Sequence, residues 1–179
     1  AHIENTCTPV LSTVRKGVFK LSFSENTQKV GMPLLPCREA KHIWTQTRII
    51  EDAVFGTDLT GANIIVSGGL GMGSRENFKK LHTLADMLGA AVGASRAAVA
   101  AGYAGYAHQV GQTGVSVRPD IYIAFGISGA VQHLSGISGA KKIYAVNHDP
   151  KAPIHEYADF SVIADCTSVL DKLIEKAGG

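Results

Sequence analysis

The sequence predicts an α/β protein with a doubly wound, mostly parallel sheet and helices on both faces of that sheet. From Asn63 to the C-terminus, short apolar runs alternate with helical stretches, which is the signature of successive βαβ units. The apolar runs do not alternate with polar residues. Continuous apolar runs of this kind are typical of strands that are buried on both faces of a sheet. Several runs end in glycine-rich or polar turns. This organisation is typical of a Rossmann-like nucleotide-binding domain.

Five strands are predicted in order along the chain, and each is expected to be buried. They span residues 63–67, 91–94, 121–125, 142–146 and 160–164. A helix follows the first strand, because Ser74 is a good N-cap and Gly89 a good terminator. The apolar side of this helix is formed by Phe78, Leu81, Leu84, Ala85 and Leu88. A further helix, over about residues 167–176, closes the domain.

Composition and charge argue against several classes of protein. The 17 basic and 15 acidic residues give a formal charge of +2 and are scattered, so nucleic acid is not an expected partner. No apolar run reaches the roughly 18 residues that a membrane span requires, so the protein is not expected to be embedded in a membrane. The three cysteines are far apart and lack C-x-x-C spacing, which predicts neither a disulfide framework nor a metal site.

The loops that follow parallel strands meet at one edge of the sheet, where ligands bind. The first loop, SGGLGMGS at residues 67–74, resembles a phosphate loop, but its glycines are spaced G-x-G-x-G and not G-x-G-x-x-G. The same glycines equally suit a tight strand-to-helix turn. Both interpretations stay open.

The second and third loops offer charged and polar groups. Ser95 and Arg96 follow the second strand and begin an alanine-rich helix. Arg96 stands alone in an apolar stretch, which favours a functional charge over one that merely faces solvent. The segment HQVGQTG, residues 108–114, carries amides and hydroxyls between glycines. That composition suits hydrogen bonding to a flat heterocycle, although an ordinary polar turn shares it.

The fourth loop follows the third strand and contains GISG, residues 126–129. A helix is predicted to begin near Gly129, and free N–H groups at its start would bind an anion such as a pyrophosphate. Ser128 is placed either to cap this helix or to bind a phosphate.

The first turns of that helix carry two polar side chains next to each other. Val131 and Leu134 are expected to pack inward. Gln132 and His133 would then flank the ligand and not the core. A lone histidine here would usually belong to the core, and its pairing with a glutamine weakens that interpretation.

The last two strands end at Asn147 and near Asp165, which adds two more polar groups at the ligand edge. Asp165 is an equally good N-cap for the final helix. None of the loops supplies a nucleophile with a base, a metal-ligand cluster or paired carboxylates. The sequence therefore favours cofactor binding over side-chain catalysis.

The segment IYIAFGISGAVQHLSGISGAKKIYAVN, residues 121–147, closely resembles a signature of the electron transfer flavoprotein alpha-subunit family. Similarity extends through SGG, RENF, AAVGASRAAV, QVGQTG and NHDPKAPIHEYADF. The resemblance covers residue 59 to the end and implies that 59–179 is the FAD-binding domain. Residues 1–58 resemble a remnant of the family's N-terminal domain and its connector.

The resemblance implies which residues contact the flavin ring. Ser95 and Arg96 would approach it, with the Arg96 cation on the N1 and O2 side, where it favours the anionic reduced forms. Gln112 and Thr113 would hydrogen-bond the isoalloxazine, with the Thr113 hydroxyl near N5. Backbone contacts would come from Val110 and Gly111.

The resemblance also implies contacts to the rest of FAD. The ribityl-pyrophosphate region would be held by Ser128, Gly129, Ala130, Val131, Gln132 and His133. His133 would also reach the ring. The adenosine half would be held by Asn147, Asp165 and Cys166. The family often has an arginine directly after SGG, where this chain has Leu70. That departure removes one expected cofactor contact.

As a function, the resemblance implies an electron carrier without substrate turnover of its own. It would take electrons singly from acyl-CoA dehydrogenases, as in fatty acid β-oxidation, and from related dehydrogenases, and pass them to a membrane quinone reductase. A heterodimer with a beta subunit is expected, in the mitochondrial matrix or the bacterial cytoplasm. Two alternatives stay open: a truncated nucleotide-binding or assembly module without electron transfer, and an NAD-using enzyme such as a sirtuin-like deacylase, which the absence of zinc-ligand cysteines disfavours.

Overall fold

The computed structural model describes residues 58–178 of the chain. These residues form five strands: β1 (Ile64–Gly68), β2 (Ala91–Ala94), β3 (Ile121–Phe125), β4 (Lys142–Asn147) and β5 (Phe160–Ile163). The strands pair in parallel in the order β2-β1-β3-β4-β5. The parallel α/β fold predicted from the sequence is therefore confirmed. The proposed remnant domain falls, up to residue 57, outside the described residues.

The described residues contain five α-helices, of which four connect successive strands and the fifth follows β5. They are α1 (Arg75–Leu88), α2 (Arg96–Ala100), α3 (Val131–Ile137), α4 (Ile154–Tyr157) and α5 (Cys166–Ala177). Two short 3-10 helices span Leu70–Met72 and Tyr106–His108. Among residues 58–178, no helix is both long enough and apolar enough to cross a membrane.

Helix α1 has the ends that its sequence predicts. The Ser74 hydroxyl accepts a hydrogen bond from the Asn77 N–H at 3.1 Å, which satisfies one free donor of the first turn. The helix stops at Gly89, where φ is +61°, a backbone angle that costs glycine little. Capping residues can be read from sequence because the cap is a local interaction.

The two faces of the sheet carry separate apolar clusters. Side chains of neighbouring positions in a strand point to opposite faces, so Val66 and Ile65 belong to different clusters. The Val66 cluster includes Phe78 of α1 and Leu170 of α5. The Ile65 cluster includes Ile137 of α3 and Ile154 of α4. Helices therefore cover both faces, as the doubly wound prediction requires.

The expectation that all five strands are buried is wrong for β5 and for the start of β4, where Lys142 and Tyr144 are exposed. Phe160 is 60% exposed and Ile163 is 59% exposed. Strand β5 lies at one edge of the sheet, and only its Val162 packs against an apolar cluster, whereas Val92 and Ala94 of the other edge strand, β2, lie within that cluster. The alanine-rich helix after Ser95 is also short, since α2 ends at Ala100.

Candidate functional site

A cleft of about 690 Å³ lies at the carboxyl ends of the strands. The chain runs from β1 to β2 on one side and then to β3 on the other side, so the loops after β1 and β3 diverge. In doubly wound sheets this divergence creates the crevice in which ligands bind. The walls of the cleft come from the loops that follow β1, β2, β3 and β4.

Most of the residues predicted for the site line this cleft. They are Ser95, Arg96, Val110, Gly111, Gln112, Thr113, Ser128, Ala130, Gln132, His133 and Asn147. Four predicted residues do not line it, namely Gly129, Val131, Asp165 and Cys166. Asp165 and Cys166 follow β5, whose loop does not line the cleft, whereas Gly129 and Val131 lie between residues that do.

The glycines after β1 serve packing between loops. The Gly69 N–H donates to the Phe125 carbonyl at 2.8 Å, and the Gly71 N–H donates to the Gly126 carbonyl at 3.0 Å. A Cβ atom on Gly69 would lie 2.0 Å from the Gly126 oxygen. These two N–H groups are therefore committed to the β3 loop, which supports the tight-turn interpretation over a phosphate loop. Leu70 is half-exposed and lines the cleft.

The loop after β2 places a cation at the cleft. The Ser95 hydroxyl accepts a hydrogen bond from the Ala98 N–H at 3.2 Å and so caps α2. Arg96 follows as the first residue of that helix and is exposed. Within residues 58–178 it forms no ion pair, so its charge is available to an anionic or electron-rich ligand.

A buried amide orders the loop that carries Thr113. Gln109 is only 4% exposed, and its Nε2 donates to the Thr113 hydroxyl oxygen at 2.9 Å. The Tyr106 hydroxyl donates to the Thr113 carbonyl at 2.6 Å. Because the Thr113 oxygen already accepts from Gln109, its own hydrogen is left to donate into the cleft. Sequence reasoning had not singled out Gln109.

The loop after β3 offers unused backbone donors. No hydrogen bond among the described residues uses the N–H groups of Ser128, Gly129 or Ala130. Gly129 has φ +86°, and a Cβ there would lie 2.4 Å from the Ile154 nitrogen. The glycine is therefore required by the close approach of α4. Such a cluster of free N–H groups binds anions.

The start of α3 differs from the prediction. The helix begins at Val131, and its N-cap is Ala130, which makes no side-chain capping bond. Ser128 therefore does not cap the helix, and the other interpretation, a hydroxyl available to a ligand, remains for it. The side chain of Ser128 is exposed in the cleft.

The expectation that Val131 packs inward and His133 stays outside the core is wrong. Val131 is 75% exposed, whereas His133 is 6% exposed. The buried residues of α3 are His133, Leu134, Gly136 and Ile137. Gln132 is exposed and lines the cleft as predicted.

His133 belongs to both the core and the cleft. Its Nε2 lies 3.0 Å from the hydroxyl of Tyr122, which is fully buried in β3. Burial of the ring lowers the pKa of His133 from its ordinary value to about 4, and the Val110 backbone partly opposes that shift. The imidazole is therefore neutral at physiological pH.

Two predicted adenosine contacts are engaged elsewhere. Asp165 caps α5 and accepts from the Ser168 N–H and hydroxyl, both at 2.8 Å. These hydrogen bonds hold the pKa of Asp165 below its ordinary value. Cys166 is buried, and its Sγ donates to the Val146 carbonyl at 3.2 Å. The N-cap interpretation of Asp165 is supported, and a cofactor contact by either residue stays a prediction.

Asn147 lines the cleft but is already hydrogen-bonded. Its Nδ2 donates to the Ile127 carbonyl at 2.9 Å, and its Oδ1 accepts from the Asp149 N–H at 3.0 Å. Asn147 thus links the loop after β3 to the loop after β4.

His148 and Asp149 also line the cleft and were missed by sequence reasoning. Their position directly after the end of β4 was the available signal.

Comparison with known proteins identifies a family that this chain matches. Residues 58–138 match the family model described as the electron transfer flavoprotein FAD-binding domain. The chain is 44% identical over 171 residues to the electron transfer flavoprotein subunit alpha of Thermoanaerobacterium thermosaccharolyticum, an alignment that covers 94% of this chain and 52% of the relative. It is 46% identical over 173 residues to the subunit of the same name from Mycobacterium leprae, covering 96% of this chain and 54% of that relative.

A plant relative matches the C-terminal part more strongly. The mitochondrial electron transfer flavoprotein subunit alpha of Oryza sativa subsp. indica is 55% identical over 119 residues, which cover 66% of this chain and 33% of the rice protein. The chain spans about half the length of the bacterial relatives it matches. The cofactor of the matched family domain is FAD. By sequence and by fold, the chain belongs to the electron transfer flavoprotein alpha-subunit family.

Proposed function

We propose that this chain binds FAD in the cleft and forms the cofactor-carrying part of an electron carrier. The observation that carries the proposal is the convergence at one cleft of three kinds of group: the cation of Arg96, which forms no ion pair within residues 58–178, the Thr113 hydroxyl, and the free N–H groups of Ser128 and Ala130. These groups match a ligand that has both an electron-rich ring and a pyrophosphate.

The described residues fit such a cofactor in two regions. The N–H groups of Ser128 and Ala130, with the exposed Ser128 hydroxyl, would hold the pyrophosphate, because backbone donors at a glycine turn bind anions well. Arg96 and Thr113 would hold the flavin ring, the first by charge and the second by donating a hydrogen bond. When bound, FAD supplies the isoalloxazine ring that accepts and releases electrons.

Other cleft residues shape the ring site. Ala97 and Ala100 lie one turn apart on α2, and both face the cleft. Their small side chains leave room for a flat group beside Arg96. Gly111 has φ +141° and its N–H donates to the Val115 carbonyl at 3.1 Å, which closes the loop that carries Gln112 and Thr113. Contacts by Gln112, Gln132, His133 and the remaining predicted residues complete the proposed site.

As part of the same proposal, the chain transfers single electrons from acyl-CoA and related dehydrogenases to a membrane quinone reductase. It acts with a beta subunit as a heterodimer and turns over no substrate of its own. The names of the relatives support the electron-transfer role and a partner subunit, since each is a "subunit alpha" of an electron transfer flavoprotein. One relative is named mitochondrial and others are bacterial, which supports the mitochondrial matrix or the bacterial cytoplasm as the location.

The test is to produce the chain with and without a beta subunit and to identify the released cofactor by chromatography and mass spectrometry. FAD bound in about equal molar amount is expected, with absorption bands typical of flavin. Arg96→Gln should weaken FAD binding at least about tenfold, because a charge-assisted hydrogen bond contributes roughly 1.5–3 kcal/mol. Arg118→Gln is the matched control, since Arg118 is exposed and does not line the cleft.

Two outcomes would contradict the proposal in different ways. A colourless protein that binds NAD but not FAD would refute the cofactor assignment. A protein that binds FAD and is reduced by dithionite, but that exchanges no electrons with an acyl-CoA dehydrogenase when its beta subunit is present, would be a nucleotide-binding module without carrier function.

A further inference from the structure

We infer that His82 and His108 form a second binding site, separate from the cleft, for a divalent transition-metal ion of the kind that imidazole ligates, such as Zn²⁺. His82 lies on α1, and His108 ends the 3-10 helix Tyr106–His108 that follows α2. Neither residue lines the cleft. The proposed binding of FAD uses neither side chain, so the metal site does not depend on the proposed function.

The two imidazole rings meet between elements that are distant in the sequence. Their centroids are 6.0 Å apart and their planes lie at 85° to each other. Tetrahedral Zn–N bonds of about 2.0–2.1 Å place two ligating nitrogens about 3.4 Å apart. Because His82 is exposed, a rotation of its side chain can bring one nitrogen of each ring to that separation. A metal ion can therefore bridge the two rings without a movement of the backbone.

The hydrogen bonding of His108 leaves the nitrogen that a metal ion requires. Its Nδ1 lies 2.8 Å from the Val92 carbonyl oxygen. A carbonyl only accepts, so Nδ1 carries a proton and, in the neutral ring, Nε2 keeps its lone pair. Within residues 58–178 this Nε2 forms no hydrogen bond. Metal-binding histidines commonly have this arrangement, in which the other ring nitrogen donates to a backbone carbonyl and fixes the ring.

His82 supplies the second ligand from a helix. Neither nitrogen of its ring forms a hydrogen bond among the described residues, so both are available. The ring meets the buried Phe78 ring, one turn earlier on α1, edge to face with centroids 6.5 Å apart. Desolvation of the ring and, next, the neighbouring His108 lower the pKa of His82, although Asp86 opposes that shift. The lowered pKa favours the neutral ring, which is the form that binds metal ions.

Two protein ligands define the kind of site that the pair can form. Asp86 lies one turn after His82 on α1 and adds a negative charge on that side of the helix. In the part of the chain that the structure describes, no group of three or more His, Cys, Asp and Glu side chains could hold a metal ion. Water would therefore complete the coordination of the ion. Zn²⁺, Cu²⁺ and Ni²⁺ are the expected ions, because each accepts imidazole ligands.

A bound ion would link α1 to the segment that leads into the cleft. His108 directly precedes Gln109, whose amide donates to the Thr113 hydroxyl oxygen at 2.9 Å. An ion that binds the folded protein more tightly than the unfolded chain stabilises the fold, and the effect grows with its concentration. The ion would thus restrain this segment in a concentration-dependent manner.

The test is a Zn²⁺ titration of the 179-residue chain, labelled with ¹⁵N-histidine and first treated with a chelator. The chain has seven histidines, and the NMR signals of His82 and His108 are assigned by their loss in His82→Gln and His108→Gln. Zn²⁺ should shift the ring-nitrogen signals of both residues along one binding curve. The midpoint of thermal unfolding should rise with Zn²⁺ concentration. Wild-type signals that stay unchanged, or that shift at different Zn²⁺ concentrations, would overturn the inference.

The variants locate the ion. Either His82→Gln or His108→Gln should weaken Zn²⁺ binding by the remaining histidine at least about tenfold, because loss of an outer-shell partner alone costs about 10–100-fold. His155→Gln is the matched control, since the two ring nitrogens of His155 already face the Ser161 hydroxyl and the Asp149 carbonyl. It should leave the binding curve of His82 and His108 unchanged. Equal Zn²⁺ binding by all three variants would assign the ion to another site and refute the inference. None of these measurements involves FAD, so a negative result would leave the proposed function standing.

Discussion

Gly126→Ala should destabilise the fold strongly, because the added methyl group would push apart two loops that meet at the cleft. Gly126 joins β3 to the loop that lines the site and has φ +62°. Its N–H donates to the Val146 carbonyl at 2.8 Å, and its carbonyl accepts from the Gly71 N–H at 3.0 Å. A Cβ atom there would lie 2.7 Å from the Gly71 carbonyl carbon and 2.9 Å from the Met72 nitrogen. These nearest atoms all belong to the backbone.

The cost has two separable parts. A positive φ costs an L-residue about 1–2 kcal/mol, whatever the surrounding space. The steric clash adds about 1–3 kcal/mol, since backbone atoms cannot rotate away as a side chain would. The expected loss in free energy of unfolding is therefore about 2–5 kcal/mol, measured by urea denaturation at equilibrium.

Two control variants separate the parts. Gly89 also has a positive φ, at +61°, but a Cβ there meets nothing within 4 Å. Gly89→Ala should lose only about 1–2 kcal/mol. Gly105 has φ −74° and open space around it, so Gly105→Ala should be neutral or stabilising by up to about 1 kcal/mol. If Gly126→Ala loses no more stability than Gly89→Ala, the argument from backbone contact between the two loops is refuted.

Three further predictions concern a buried amide, a buried histidine and a helix cap. Gln109→Leu should remove the donor to the Thr113 hydroxyl, lower stability by about 1 kcal/mol and weaken FAD binding, as urea denaturation and flavin titration would show; a loss of stability without weaker binding would argue against the role of Thr113. The folded pKa of His133, about 4, lies below its ordinary 6.5, so its stability contribution is complete above pH 6.5 and is lost as the pH falls toward 4. Stability measured from pH 7 to pH 4 should therefore fall less in His133→Asn than in the wild type, and equal slopes would refute the assignment. Ser74→Ala should cost about 1 kcal/mol of unfolding free energy, which a urea midpoint equal to that of the wild type would contradict.

The fold was predictable where local sequence determines local structure. The ends of α1 follow from Ser74 and Gly89, because a cap bonds only to its own helix. The exposure of Phe160 was not predictable, because an apolar run looks the same whether or not the rest of the fold covers the strand. Strands β2 and β5 are both edge strands, yet β2 is buried and β5 is largely exposed, and this difference depends on packing between distant segments.

The position of the site was predictable from the same topological rule, but the state of its side chains was not. Parallel strands bring their following loops together, so Ser95, Gln112 and Ser128 could be assigned to one cleft from their places in the sequence. Sequence could not reveal that Asn147 already has hydrogen-bond partners, and for Asp165 it could not decide between the helix cap and a cofactor contact. It also could not fix the rotation of α3, because the burial of its first residues changes with a small shift in where the helix begins.

The strand order has a consequence for synthesis of the protein on the ribosome. Strand β1 is made first and pairs with β2 on one side, but its other edge waits for β3, which begins at Ile121. During that interval the nascent chain exposes an unpaired central strand, a form prone to pairing with other chains. The cleft-lining residues that follow β4, between Asn147 and Ala152, are synthesised later still. A cofactor can therefore enter the complete cleft only after most of the domain has left the ribosome.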